Sequence, residues 1–116
     1  MTTVKIKRVY DTPHSDDGTR ILVDRLWPRG VKKEAVRVDL WLKELAPSSE
    51  LRKWFGHDPE RWPQFKEKYR DELRFKKDEL SVIVRAASAG PVTLLYGARD
   101  ESHNQAVILQ EVIGRL

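Results

Sequence analysis

Two short apolar runs, each followed directly by a polar loop, constrain the fold of this chain more than any other feature. Residues 21–23 (Ile-Leu-Val) and residues 92–96 (Val-Thr-Leu-Leu-Tyr) are predicted to be β-strands, because apolar runs of this length between turn residues are typical of strands. The unbroken apolar character of residues 21–23 indicates a strand that is covered on both faces, as in a parallel sheet. We therefore expect both strands to be central in one sheet.

A further strand is predicted at the start of the chain. Residues 4–7 alternate apolar and basic side chains, and Val9 and Tyr10 extend the run. This alternation predicts a strand near a sheet edge. The connection from this strand to residues 21–23 is short for a parallel crossover, so a partly antiparallel sheet remains an alternative.

Most of the other apolar residues recur at helical spacing. Asp58 and Pro59 are a typical N-cap and first helical residue, and they precede an amphipathic stripe formed by Trp62, Phe65, Tyr69 and Leu73. Four other helices are predicted. The first is capped by Asp39, and the second is a short helix that contains Leu51, Trp54 and Phe55 and ends at Gly56. The third is capped by Asp78 and ends at Gly90 and Pro91, with Leu80, Ile83, Val84 and Ala87 buried, and the fourth runs from a Ser102-x-x-Gln105 capping box to near residue 116. Residues 81–84 are also compatible with a strand.

Strands that alternate with helices predict an α/β fold. We expect a small three-to-four-stranded, mainly parallel sheet flanked by helices, and a three-layer, Rossmann-like or rhodanese-like topology is among the alternatives. The length of 116 residues predicts a single domain that spans residues 1–116. The content of 40% hydrophobic and 34% charged residues is that of a globular chain.

Composition and charge exclude several classes of protein. The chain has no cysteine, which excludes disulfides, thiolate metal sites and cysteine nucleophiles. Residues 1–7 lack the apolar core of a secretion signal, and no stretch approaches the ~18 apolar residues of a membrane span. We therefore predict a cytoplasmic protein without a membrane partner. The net charge of +4 is compatible with phosphate esters and nucleic acid, and equally with a solubilising surface.

Three blocks of unusual sequence carry a family resemblance. They are Asp17-Gly18-x-Arg20-x-Leu22-Val23-Asp24-Arg25-Leu26-Trp27-Pro28-Arg29-Gly30, then Trp41-x-Lys43-x-Leu45-Ala46-Pro47-Ser48 with Leu51-Arg52-x-Trp54-Phe55-x-His57-Asp58, and Thr93-Leu94-Leu95-Tyr96-x-Ala98-Arg99-Asp100-Glu101-x-His103-Asn104. Together they resemble the YeaO-like family, domain of unknown function 488. The resemblance covers most of the chain, and the first block is highly specific.

The resemblance implies an α/β fold and a bacterial or archaeal cytoplasmic setting, but it implies no activity. Some relatives are labelled as transcriptional regulators or methyltransferases, and neither a helix-turn-helix nor a glycine-rich cofactor loop supports those labels here. Residues 96–102 also resemble, at the level of fold, the strand–loop–helix cradle of rhodanese-like and phosphatase folds. Those cradles use a cysteine nucleophile, which this chain lacks.

Polar side chains follow both central strands, in residues 24–29 and residues 97–104. In open α/β sheets, ligands bind outside the carboxyl ends of the strands, so these loops predict a site at one edge of the sheet. Arginine binds carboxylates and phosphates through two parallel hydrogen bonds, which favours an oxyanion site. The alternative is that these groups form structural ion pairs, Asp24 with Arg99 or Arg25 with Asp100.

We assign candidate roles to individual residues of this predicted site. His103 is the leading candidate for a general acid or base, and Asp24 and Asp100 would orient the basic groups. The candidates for ligand binding are Arg25, Trp27, Arg29, Arg52, His57, Arg99 and Asn104. Two alternatives are structural: His57 would pack against Trp62 at the start of a helix, and residues 102–104 would only cap the last helix.

The sequence gives no indication of a metal or cofactor. The three histidines are His14, His57 and His103, and they lack the short spacing of a zinc site. No glycine-rich nucleotide fingerprint is present, so no cofactor is predicted. The residue types for a catalytic triad are present in Ser48, His57 and Asp24, but no nucleophile-elbow pattern supports such a triad.

Three functions compete at this point. The first is a protein that binds a small anionic ligand of phosphate or carboxylate type, either as a binding protein or as an enzyme that processes the ligand. The second is a nucleic-acid-binding or regulatory module that uses the same basic edge together with Lys32, Lys33 and Arg37. The third is an interaction protein with exposed aromatic residues. A concave pocket favours the first and a broad convex basic stripe the second, while ligand identity and oligomeric state stay open.

Overall fold

The computed structural model describes residues 4–116 and contains a four-stranded sheet with helices packed on it. Residues 1–3, the start of the charged segment 1–7 considered above, lie outside the described residues. The strands are β1 (Val4–Arg8), β2 (Thr19–Leu22), β3 (Leu40–Trp41) and β4 (Val92–Tyr96). Their order is β1-β4-β2-β3 and every pairing is parallel. The predicted α/β class is confirmed, and the antiparallel alternative is wrong.

The two central strands are those that the apolar runs predict. β4 pairs along its whole length with β1, from Val4 opposite Val92 to Arg8 opposite Tyr96. On its other side β4 pairs with β2, and all five of its residues are buried. β1 lies at the sheet edge, as its alternation of apolar and basic residues predicts.

Four helices cover one face of the sheet and form the main core. They are α2 (Ser49–Phe55), α3 (Trp62–Leu73), α4 (Lys77–Ala89) and α5 (Gln105–Gly114). In the described part of the chain, the opposite face carries the short α1 (Lys33–Val36) and its flanking loops, which bury the smaller cluster Val9, Leu22, Val36 and Leu95. Short 3₁₀ turns occur at Ser15–Asp17, Lys43–Leu45 and Pro59–Arg61. Within residues 4–116, no helix has both the length and the apolar character that crossing a membrane requires.

The helix expected after Asp39 is wrong. Leu40 and Trp41 instead form β3, in register with Ile21 and Leu22, and only Lys43–Leu45 turns helically. The side chain of Asp39 caps no helix, because it accepts the backbone N–H of Arg20 at 2.8 Å. The exposed edge of β2 offers backbone partners to this segment, and that long-range pairing overrides the local helical pattern.

Two predicted helix starts also need correction. Ser102 does not cap α5: the Asn104 side chain is the N-cap and accepts the N–H groups of Ala106 and Val107. The helix expected to begin after Asp78 begins at Lys77 and places Asp78 in its first turn. Its buried residues are Leu80, Ile83 and Ala87, whereas Val84 is exposed, and the strand alternative for residues 81–84 is wrong.

The end of α2 follows the predicted local signal, whereas α3 begins at Trp62 rather than at the predicted Pro59. Gly56 closes α2 with a left-handed backbone conformation (φ 54°), which glycine adopts without steric cost. The Asp58 side chain caps the 3₁₀ turn that begins at Pro59 and leads directly into α3. The predicted stripe of α3 faces the core, with Phe65, Tyr69 and Leu73 buried.

A buried charge network lies at the amino ends of the central strands, away from the polar loops. Arg20 and Asp17 are 3% and 5% exposed, and their side chains form a hydrogen-bonded ion pair. Lys7 Nζ lies 3.2 Å from Asp17 Oδ2, and the Thr93 hydroxyl donates to the Asp17 carbonyl at 2.8 Å. Arg20 also donates to the carbonyl oxygens of Val36 and Arg37. The network ties β2 and β4 to the segment that follows α1.

The Asp17 carboxylate makes the stability of the fold sensitive to acid. Burial alone would raise the pKa of Asp17, but hydrogen bonds from the His14 backbone and from the Lys7 and Arg20 side chains outweigh it, so the pKa is lowered. Because the pKa of Asp17 is lower in the folded state, its ionised carboxylate stabilises the fold. This contribution is fully present at a pH above the pKa of the unfolded state, near ~3.9, and it is lost as the pH falls through the pKa of the folded state.

Chemical denaturation at pH 7, 5, 4 and 3 tests this dependence. Wild type should be more stable than Asp17→Asn at pH 7, and the gap should narrow below pH ~4 as the wild-type carboxylate takes up its proton. The exposed neighbour Asp16 supplies a control, because Asp16→Asn should produce a small gap at every pH. A gap for Asp17→Asn that stays constant from pH 7 to pH 3 would contradict the role of the charge.

Candidate functional site

The polar loops after β2 and β4 meet at the carboxyl edge of the sheet, where they border a cleft of about 420 Å³. Asp24 and Leu26 come from the first loop, and Gly97, Ala98, His103 and Asn104 come from the second. The carboxyl-terminal half of α2 supplies Arg52, Lys53 and Phe55, and His57 follows that helix. A cleft therefore lies at the edge of the sheet where the sequence predicts the site.

Asp24 connects the two loops. One of its carboxylate oxygens accepts the N–H of Gly97 at 2.9 Å, and the other accepts Gln105 Nε2 at 2.5 Å. A Cβ atom on residue 97 would lie 2.7 Å from Asp24 Oδ2, so this contact requires glycine. Burial raises the pKa of Asp24, although these two hydrogen bonds and the positive charge of Arg52 act in the opposite direction.

Asp100 organises the loop that carries His103. Its Oδ1 accepts the backbone N–H groups of Ser102 and His103, and its Oδ2 lies 2.9 Å from His103 Nδ1. The hydrogen bonds from the Ser102 backbone and the His103 side chain are the main causes of a lowered Asp100 pKa. The His103 ring packs edge-on against Trp62, with 5.2 Å between the ring centres. These contacts fix the imidazole at the cleft wall.

The cationic wall of the cleft comes from α2 and the turn that follows it. Ser48 caps α2, and the Glu72 carboxylate holds Ser48 by accepting its hydroxyl at 2.6 Å and its N–H at 2.9 Å. Arg52 and Lys53 then emerge on the exposed side of the helix. Within the described residues 4–116, neither side chain forms a salt bridge. The positive charges of Arg52 and Lys53 therefore line the cleft without a carboxylate partner among the described residues.

An aromatic cluster supports the floor of the cleft. Phe55 and Phe65 stack with their ring centres 4.3 Å apart, and both line the cleft although they are nearly buried. Trp62 packs on both rings. The aromatic partner of His57 is Phe55, at 6.4 Å between ring centres, and His57 adopts a left-handed backbone conformation (φ 56°). Aromatic rings thus separate the polar end of the cleft from the helical core.

The structure places the predicted site residues in two groups. Asp24, Arg52, His57, His103 and Asn104 line the cleft, and Asp100 reaches it through its contact with His103. The other predicted residues are not among those that line it: Arg25, Trp27, Arg29 and Arg99.

The residues of this second group have other contacts or are exposed. Arg25 donates to the carbonyl oxygens of Ala46 and Pro47, and the Trp27 indole donates to Val31. Arg29 and Arg99 are exposed. The ion pairs offered as alternatives, Asp24 with Arg99 and Arg25 with Asp100, do not form, since Asp24 bonds to Gly97 and Gln105 and Asp100 to His103.

Sequence reasoning missed several residues of the cleft. Gln105 resembled half of a capping box, but its amide instead bonds to Asp24 and to the carbonyl oxygen of Val23. Lys53 could have been found, because it adjoins Arg52 near the end of a predicted helix. No signal in the sequence brought Ala46 and Pro47 to this site.

Neither a Ser-His-Asp triad nor a metal centre is assembled in the described part of the chain. The Ser48 hydroxyl donates to Glu72 and accepts from Leu51, so it is committed to the cap of α2. Residues 4–116 contain no cluster of three or more histidine and acidic side chains that could hold a metal ion. The chemistry of the cleft is that of opposite charges, hydrogen-bonding groups and an apolar floor.

The fold and cleft together define a small, all-parallel α/β domain with a polar cleft at the carboxyl ends of its central strands. Over residues 3–115 the chain matches the family described as "Inactive DUF488-N3 subclade". The chain belongs to this DUF488 family, which confirms the resemblance found in the sequence.

Three similar proteins illustrate the family. YeaO of Escherichia coli K12 is 44% identical over 108 residues, which cover 93% of this chain and 94% of that protein. Rv3073c of Mycobacterium tuberculosis H37Rv and Mb3100c of Mycobacterium bovis are each 38% identical over 112 residues, or 97% of this chain and 94% of theirs. All three are described as uncharacterized proteins. No solved structure matches this chain significantly.

Proposed function

We propose that this protein binds a small anionic ligand of the phosphate or carboxylate type in the cleft. One observation carries the proposal: Arg52 and Lys53 line the cleft and form no salt bridge within residues 4–116. Positively charged side chains that line a concave surface and have no carboxylate partner are suited to binding an anion. Arginine binds phosphates and carboxylates through two parallel hydrogen bonds. His57 and His103 add two further groups that donate hydrogen bonds when protonated.

Binding without turnover fits the residues better than catalysis does. The family is described as inactive, and the segment formed by β4, the loop after it and α5 has no cysteine nucleophile. His103, the leading candidate for a general acid or base, is held by Asp100 and packs on Trp62, which equally suits a fixed hydrogen-bond donor. The concave shape of the cationic region favours a small ligand over nucleic acid.

Thermal stability in the presence of simple anions tests this proposal. Phosphate or sulfate should raise the melting temperature, because a ligand that binds only the native state adds about 2.7 kcal/mol at a hundredfold excess over its Kd. In Arg52→Gln the affinity should fall by roughly 10- to 100-fold, as expected when hydrogen bonds to a charged group are lost. Titration calorimetry with phosphate provides the affinities.

Two controls separate a site from general screening. Chloride at matched ionic strength should leave the melting temperature nearly unchanged. The variant Arg85→Gln removes an exposed arginine from α4 and should retain wild-type phosphate affinity. Equal stabilisation by chloride, or equal losses of affinity in both variants, would refute a specific anion site.

A further inference from the structure

The opposite charges that line the cleft do not neutralise each other. The Asp24 carboxylate accepts hydrogen bonds from two neutral donors, Gly97 N and Gln105 Nε2, and forms no salt bridge with Arg52. Arg52 is nevertheless near enough for its charge to favour the ionised form of Asp24. A carboxylate and a guanidinium that line one cleft without forming a salt bridge can each bind a complementary group of the same ligand.

Asp24 restricts which anions the cleft accepts. A carboxylate oxygen can accept two hydrogen bonds, and each Asp24 oxygen uses one within the protein. We expect a ligand beside Asp24 to bind favourably only if it offers N–H or O–H donors to the remaining acceptor positions. A ligand with oxygens alone at this end would meet like charge and unpaired acceptors, which disfavours binding.

Apolar side chains also line the cleft. Phe55, Phe65 and Pro47 line the cleft together with the charged residues. The volume of about 420 Å³ falls in the range of pockets for small organic molecules, about 300–1,000 Å³, and so is more than an inorganic anion needs. A flat apolar body would displace the remaining water from the aromatic floor and add favourable burial.

We infer that the ligand is a bifunctional aromatic anion, with a phosphate or carboxylate at the Arg52 and Lys53 end, an N–H donor at the Asp24 end, and a planar ring between them. This inference rests on the proposed anion site and specifies the chemical class that the site selects. Simple anions then bind as fragments, through the cationic end alone.

Two synthetic phosphates of nearly equal size test the donor end. 4-Aminophenyl phosphate carries an N–H donor opposite its phosphate, whereas 4-methylphenyl phosphate replaces that donor with a methyl group. In calorimetry with the wild-type protein, the amino compound should bind at least tenfold more tightly, as one hydrogen bond to a carboxylate provides. Arg52→Gln should weaken both compounds by the same factor, because it acts on the shared phosphate.

A variant of Asp24 locates the source of the preference. In Asp24→Asn the ratio of the two affinities should fall severalfold, because a neutral amide oxygen accepts a weaker hydrogen bond than a carboxylate does. Asp24→Ser is the substitute if circular dichroism shows that the asparagine variant is unfolded. Retention of the tenfold ratio in the folded variant would overturn the assignment to Asp24.

The remaining outcomes separate this inference from the proposal on which it rests. Equal affinities of the two compounds for the wild-type protein, with phosphate binding intact, would overturn the inference and leave the anion site standing. Absence of binding by phosphate and by both aryl phosphates would overturn both.

Discussion

Replacing Arg20 with methionine is expected to lower the free energy of unfolding by about 3–5 kcal/mol, the usual cost of removing one partner from a buried ion pair. Arg20 is 3% exposed and donates to the Asp17 carboxylate and to the carbonyl oxygens of Val36 and Arg37. Methionine fills much of the same volume but donates no hydrogen bond. Three acceptors would therefore lose a donor at once, and two of them, the Asp17 carboxylate and the Val36 carbonyl, are buried.

Urea denaturation at pH 7 measures this change, and two further variants interpret it. Arg85→Met removes an exposed arginine and should stay within ±0.5 kcal/mol of wild type. The double variant Asp17→Asn with Arg20→Met should cost less than the sum of the single changes, because the two side chains share one interaction. Additive costs would show that Arg20 stabilises the fold independently of Asp17, through packing and its hydrogen bonds to the carbonyl oxygens of Val36 and Arg37.

Leu94→Ala is expected to cost about 2–5 kcal/mol, through lost burial and the cavity left in the core. Leu94 is fully buried at the middle of β4, in register with Ile6 on one side and Ile21 on the other. Strands on both sides leave the backbone little freedom to close around the smaller side chain, so the cost should lie in the upper part of this range.

Val84→Ala provides the matched control for this core substitution. Val84 lies on α4 and is 37% exposed, so its truncation should change stability by no more than ~0.5 kcal/mol. Comparable costs for the two variants would contradict the positions assigned to β4 and to the outer face of α4. The measurement is again equilibrium denaturation.

The buried network and the cleft occupy opposite ends of the same two strands. Arg20 and Asp17 lie at the amino end of β2, and Asp24 follows its carboxyl end. Variants of the network should therefore change stability with little effect on anion affinity, whereas Arg52→Gln should change affinity with little effect on stability.

The amino-acid sequence by itself determined the two central strands, most of the helices and the edge of the sheet at which the cleft lies. The apolar runs at residues 21–23 and 92–96 predicted the central strands, because only side chains covered on both faces can be apolar without alternation. The signal at Gly56 predicted the end of α2, and Asp58 and Pro59 predicted a helical turn that in the structure is the 3₁₀ turn before α3, since capping depends on residues close in the chain. The polar loops after the two strands predicted the edge of the sheet where the cleft lies.

Only the tertiary structure decided which side chains meet at that edge and where long-range pairing prevails. Leu40 and Trp41 joined β2 as a strand because the sheet offered backbone partners that local propensity does not include. Arg25 was drawn to the carbonyl oxygens of Ala46 and Pro47, which left Arg52 and Lys53 as the cations of the cleft. Gln105 bonds to Asp24 instead of completing a capping box, because Asn104 is the N-cap and Gln105 is therefore the first residue of α5 rather than the third. Such choices depend on distances between segments far apart in the chain, which residue spacing does not encode.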